Sequence, residues 1–174
     1  LNLLYSYALK HIAVVDVITV ASFYPIRVIA GAFAAGVVFS SWIILCVYFL
    51  ALFIVLAKRR AELIRSTWRK SLLQYSPVAL DYMLVVAAGL SIVSYGIYTV
   101  IGGHTLYDVY STAFVALAVL RLLNQIFLNQ EASEYPETFL FKDKVILVTF
   151  LLWVLYMFVV LYIVYDPMLG HESQ

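Results

Sequence analysis

The sequence predicts an all-α, polytopic bundle of transmembrane helices, and three observations predict it. The chain is 65% hydrophobic and only 12% charged, with a mean hydropathy of +0.99. A soluble domain of that composition would turn a mostly apolar surface to water. Five runs, 12–37, 40–57, 78–101, 108–129 and 145–165, each approach the roughly 20 apolar residues that cross a hydrocarbon core about 30 Å thick. The cations are also one-sided. Lys10 precedes the first run; Lys58, Arg59, Arg60, Arg65, Arg69 and Lys70 follow the second; Lys142 and Lys144 precede the fifth. The intervening loops, 38–41 and 102–107, hold no Lys or Arg. This is the positive-inside pattern, and it assigns the basic ends to the cytoplasm, so the chain starts inside and ends outside.

None of the runs alternates polar and apolar residues, and unpaired backbone groups are intolerable in lipid, so helices rather than barrel strands are expected. The first run carries Pro25, expected to kink it, with Gly31 and Gly36 allowing close helix approach beyond. The second is expected to continue as a helix past the membrane through Lys58 and Glu62. The longest polar connections are 58–77 and 130–144. Tyr156, Tyr162 and Tyr165 suit an aromatic belt near the outer boundary. There is no fixed-period repeat and no flexible linker, so residues 1–174 read as one membrane domain. The chain opens on Leu1 without a signal-peptide pattern and reads as truncated at its N-terminus.

A net charge of +1 with a pI near 8.0 argues against nucleic acid as a partner, which calls for dense basic patches. His11, His104 and His171 are scattered, and Cys46 lies in an apolar run as a small hydrophobe. No Walker loop, nucleophile elbow or dinucleotide fingerprint is present.

Four charged residues lie inside the spans: Asp16, Arg27, Asp81 and Arg121. A charge there costs about 2.5–3.5 kcal/mol on insertion scales, so each should face the bundle interior or a wet cavity. Asp16 and Arg27 share one helix face, but eleven residues place them about 16 Å apart along the axis, so they form a polar seam and not a pair. Arg27 reads either as an interhelical anchor or as an anion ligand, and Asp81 as an interfacial or helix-start carboxylate. Tyr110, Leu117, Arg121 and Asn124 fall on one face of the fourth span, with Gln125 beside them. A guanidinium there suits a phosphate because it donates two parallel hydrogen bonds; packing alone accounts for the stripe equally well. The densest cluster is Lys58-Arg59-Arg60-Ala61-Glu62, where Lys58 and Arg59 lie one turn from Glu62. Chemistry at this spot would concern a phosphate or diphosphate, with Glu62 reaching a divalent metal directly or through water. A topology anchor is the alternative.

These residues carry a family resemblance. The run Tyr5-Ser6-Tyr7-Ala8-Leu9-Lys10 through Asp16, then Arg27-Val28-Ile29-Ala30-Gly31-Ala32 and Lys58-Arg59-Arg60-Ala61-Glu62-Leu63 resemble the UbiA superfamily of intramembrane prenyltransferases. Within it the likeness is strongest to the decaprenyl-phosphate phosphoribosyltransferase branch. Ser40-Ser41-Trp42, the helix from Tyr110-Ser111 to Arg121, and Pro136-Glu137 before Asp143-Lys144 look like later parts of the same pattern, so the resemblance covers nearly the whole chain. Leu122-Leu123 departs from it, where the pattern has an aromatic residue. The resemblance implies a nine-helix fold of which this chain supplies the last five spans, with the Asp-rich N-D-x-x-D-x-x-x-D motif lying outside this sequence.

It further implies transfer of 5-phosphoribosyl from phosphoribosyl diphosphate to a polyprenyl phosphate at the cytoplasmic face of the plasma membrane, with Mg²⁺ as cofactor. The catalytic residues it implies are Lys58, Glu62 and Asp16, the last two also as metal ligands. Tyr7, Lys10, Arg27, Arg59, Tyr110 and Arg121 would bind substrate. An aromatic prenyltransferase of the same superfamily normally has a D-x-x-x-D motif where this chain reads Lys58-Arg59-Arg60-Ala61-Glu62. A transporter or structural membrane subunit also accommodates intramembrane charges, though no inverted repeat is visible. The chain alone is expected to lack activity.

Overall fold

The computed structural model describes residues 14–38, 40–65, 75–102 and 106–165. It is built of helices: α1 (Val15–Ala35), α2 (Ser41–Arg65), α3 (Pro77–Gly102), α4 (Leu106–Leu128), the short α5 (Gln130–Glu134) and α6 (Pro136–Lys142), and α7 (Lys144–Val159), which ends in a π-helical turn, Val160–Tyr165. No strand occurs among the described residues. α1, α2, α3, α4 and α7 are long and apolar enough to cross a membrane. Each of the five packs on the next in that order, and α5 bridges α2 and α4.

Local sequence sets the boundaries. α1 runs through Pro25 and stops at Gly36, whose φ of 65° is left-handed and whose N–H bonds back to the Ala32 and Phe33 carbonyls; such a cap suits a residue without Cβ. The expected close approach at Gly31 is absent among the described residues: an added Cβ would meet nothing within 4 Å, because α2 packs on the face bearing Val17, Ala21 and Pro25. α2 continues beyond residue 57 to Arg65, as expected for a basic extension. The polar connection over 130–144 is largely helical, with Pro136 opening α6, a position where its missing N–H costs nothing. Asp143 ends that connection and caps α7, its Oδ1 accepting from Val145 N–H at 2.8 Å and Ile146 N–H at 3.2 Å. Such a cap contributes about 1 kcal/mol.

The core is densest in one half of the bundle. Phe53, Leu56, Leu80, Leu84, Leu122, Ile126 and Ile146 are buried together near the C-terminal ends of α2 and α4 and the N-terminal ends of α3 and α7. Lipid tails are as apolar as these side chains, so close packing rather than water exclusion holds the helices together. Ala87, Ala88, Ser91 and Ser94 form the buried small-residue stripe of α3, against which α2 can approach. In the other half a polar network replaces the apolar core. The Tyr95 hydroxyl meets Ser111 Oγ at 2.9 Å and accepts from Trp153 Nε1 at 3.1 Å, and Ser111 donates to the Asp108 carbonyl at 2.6 Å. Tyr156 donates to the Tyr107 carbonyl at that same end.

The up-and-down order brings the start of α1, the end of α2, the start of α3, the end of α4, α5, α6 and the start of α7 to one face. Lys58, Arg59, Arg60, Lys142 and Lys144 gather there, while described residues at the other face include no Lys or Arg. In a Cys46→Ser background, cysteines placed at exposed Thr138 and at Val38, 96% exposed, are expected to react with impermeant reagents from opposite sides of the membrane. Labelling of both from one side would contradict the helix order.

Candidate functional site

The charged end is built on the last turns of α2. Residues 58, 59 and 60 are consecutive on a helix, so their side chains diverge by about 100° each, and each finds a different partner. Arg59 lies toward α1: its Nη2 pairs with Asp16 Oδ2 at 2.7 Å and its Nη1 with Glu62 Oε2 at 2.6 Å. Arg60 lies toward α3 and α4. Its Nε pairs with Asp81 Oδ1 at 2.7 Å, Nη1 donates to the Ile126 carbonyl at 3.2 Å, and the guanidinium sits 4.7 Å from the Phe127 ring centroid. Lys58 lies toward the connection, where Nζ pairs with Glu137 Oε1 of α6 at 2.8 Å.

Burial separates these contacts. The Arg59 and Asp16 side chains are 14% and 6% exposed, whereas Lys58 and Glu137 are 39% and 49% exposed. A buried pair is costly to break from one side because the surviving charge stays in low dielectric. An exposed pair contributes at most about 1 kcal/mol and is screened by salt. Ser133, fully buried, donates from Oγ to the Ala57 carbonyl at 2.8 Å, pinning α5 across the turn of α2 that precedes the basic cluster. Glu131 and Lys142 pair across the α5–α6 segment.

Tyr75, just before α3, completes the floor of the cluster; nothing in the sequence pattern marks it. Its ring is buried in the core, and its hydroxyl accepts from the Val14 N–H at 2.5 Å. Burial and then the Asp16 charge raise its pKa above the ordinary tyrosine value, while the Val14 N–H and Arg59 pull against them. Burial pulls the Glu137 carboxyl upward, but the Lys58 hydrogen bond, the residue's own N–H and the Lys58 charge outweigh it and hold it below the usual carboxylate value.

The sequence-predicted site residues divide. Asp16, Lys58, Arg59 and Glu62 come together at the charged end, Asp16 and Glu62 joined through one guanidinium. Tyr7 and Lys10 lie outside the described residues. Arg27 is not brought to the cluster: it sits midway along α1 on an exposed face, 5.8 Å from the Tyr24 ring centroid. Tyr110 is also remote, 65% exposed in the first turns of α4, near the opposite face. Arg121 points to the start of α7, with Nη2 and Nε 3.0 and 3.1 Å from Asp143 Oδ2. It thereby braces the same carboxylate that caps α7. Its pairing lowers the Asp143 carboxyl: burial raises it, but Arg121 and the Ile146 and Val145 N–H groups prevail.

No group of three or more His, Cys, Asp or Glu able to hold a metal ion occurs among the described residues. Asp16 and Glu62 supply two carboxylates. Both are engaged by the Arg59 guanidinium, whereas Mg²⁺ takes one or two carboxylates together with water and substrate phosphate oxygens.

No protein-family model matches the chain. Over 94% of its length it is 30% identical to the decaprenyl-phosphate phosphoribosyltransferase of Corynebacterium glutamicum, covering 52% of that protein. It is 29% identical to the enzyme of that name from Mycolicibacterium smegmatis, over 88% of this chain and 52% of the relative. To the Mycobacterium tuberculosis enzyme of that name it is 28% identical over 88% of this chain and 53% of the relative. The chain thus spans about half the length of the curated relatives it matches. Their name is that of the branch its motifs resemble.

Proposed function

We propose that this chain forms part of a membrane transferase that moves a 5-phosphoribosyl group from phosphoribosyl diphosphate to a polyprenyl phosphate. The observation that carries the reading is that Arg59 joins Asp16 and Glu62 beside the neighbouring Lys58 at one end of a membrane bundle. Both substrates are anionic and one has a long apolar tail, so they meet where cations stand at a membrane boundary. The relatives named above support the choice of donor and acceptor.

In this reading a phosphate oxygen of the lipid attacks C1 of the ribose, the C1–O bond to diphosphate breaks, and diphosphate leaves with the bonding pair. Catalysis is then positioning together with stabilisation of charge on the leaving group. Lys58 supplies a mobile point charge to diphosphate oxygens. Arg59 holds Asp16 and Glu62 in place and can share its remaining donors with phosphate. Asp16 and Glu62 would hold Mg²⁺, which when bound neutralises diphosphate oxygens; a ribose hydroxyl is their other partner. Lys10 takes phosphate oxygens and Tyr7 a hydrogen bond near the site. The charged end faces the cytoplasm, where the positive-inside rule puts it.

The test is a matrix of donors and acceptors offered to native membranes containing the protein. Radiolabel is expected to pass from phosphoribosyl diphosphate to a polyprenyl phosphate, and not from a polyprenyl diphosphate to an aromatic acceptor. The reverse pattern would replace this reading with that of an aromatic prenyltransferase.

A further inference from the structure

Of the three consecutive cations on α2, two pair with the long helices of the bundle and one with the short helix α6. Arg59 is locked to α1 through Asp16, and Arg60 to α3 and α4 through Asp81 and the Ile126 carbonyl. Lys58 pairs with a residue of the connection between α4 and α7, Glu137, which lies 79 positions away in sequence. Glu137 stands in the first turn of α6, where a helix N-terminus favours negative charge. α5 is anchored by the buried Ser133 and α6 by the buried Pro136, but the Lys58–Glu137 contact itself is half exposed on both sides. A single screened carboxylate is a weak holder for an ammonium group, and a diphosphate carries more charge and more acceptor oxygens.

We propose that Glu137 is the resting counter-ion of Lys58, which the phosphate groups of the anionic substrate displace as the site fills. This rests on the transferase reading above and adds to it a residue that sets affinity for the phosphate-bearing substrate by competing with it. Glu137 touches no substrate in this scheme. It tunes how available Lys58 is.

Inorganic diphosphate is the probe. It is titrated into the protein purified from its native membranes into lipid nanodiscs, with variants introduced at the chromosomal locus and a fluorophore on Thr138→Cys of α6. Glu137→Gln is expected to tighten diphosphate binding about two- to fivefold, the range that an exposed ion pair commands. Diphosphate is expected to shift the α6 fluorescence of the otherwise unaltered protein. In a Lys58→Ala background, Glu137→Gln should change nothing, because the pair is already broken. Unchanged or weaker binding in Glu137→Gln would overturn this inference while leaving the transferase reading standing, since a merely structural Glu137 would misplace Lys58. Absence of diphosphate binding in every form would overturn both.

Discussion

Replacing Arg59 by alanine is expected to lower the stability of the bundle by about 3–5 kcal/mol, the cost of removing one side of a buried ion pair. Asp16, its side chain 6% exposed, would face the base of α2 with no guanidinium, and Glu62 would lose the same cation. The measurement is unfolding in mild detergent, followed by loss of helicity. The double variant Asp16→Asn, Arg59→Ala is expected to recover part of the loss, because it removes the stranded charge as well as its partner. Lys58→Ala should behave oppositely. Its ion pair is exposed, so stability should change by less than about 1 kcal/mol, whereas transfer should fall on the order of a hundredfold if Lys58 stabilises the departing diphosphate. Lys144→Ala, a cation of the same face with no proposed substrate contact, should alter neither. Equal stability losses in Arg59→Ala and Lys58→Ala would contradict the division between buried and exposed ion pairs.

The 174-residue chain expressed alone is expected to show no transfer, and co-expression with a matching four-helix half bearing an Asp-rich motif is expected to restore it. Two features motivate this. Arg27 lies mid-span on an exposed face of α1, where hydrocarbon would cost it about 2.5–3.5 kcal/mol; further helices or an anionic ligand against that face would remove the cost. Asp16 and Glu62, moreover, are both engaged by Arg59, so additional carboxylates would help hold a metal beside diphosphate. Full activity of the chain by itself would contradict the reading.

Much of the architecture was legible because lipid imposes it. Length and hydropathy mark the five long helices, and loop charge marks which ends share a face. The basic extension of α2 and the Arg59–Glu62 pair follow from helical spacing. What spacing does not convey is the choice between partners: Glu62 was equally placed for Lys58, which instead reaches Glu137, 79 residues on. The Asp16–Arg59, Arg60–Asp81 and Arg121–Asp143 pairs likewise join different helices. Their partners are fixed by helix packing, which composition leaves open. Tyr75 escaped notice because a tyrosine at a membrane boundary is ordinary; only its burial and its bond to Val14 give it a role. The α5 and α6 helices were hidden by their brevity, since five and seven residues leave no periodicity to read.

The central claim, that the charged end of this bundle serves phosphoribosyl transfer to a polyprenyl phosphate, is tested most directly by one measurement. Membranes from cells in which the coding sequence has been deleted are supplied with radiolabelled phosphoribosyl diphosphate and a polyprenyl phosphate, before and after the wild-type or the Lys58→Ala form is restored at its own locus. The account predicts labelled phosphoribosyl lipid with the wild type and little with Lys58→Ala, at equal protein levels. Undiminished product after deletion, or equal product from the two restored forms, would contradict it.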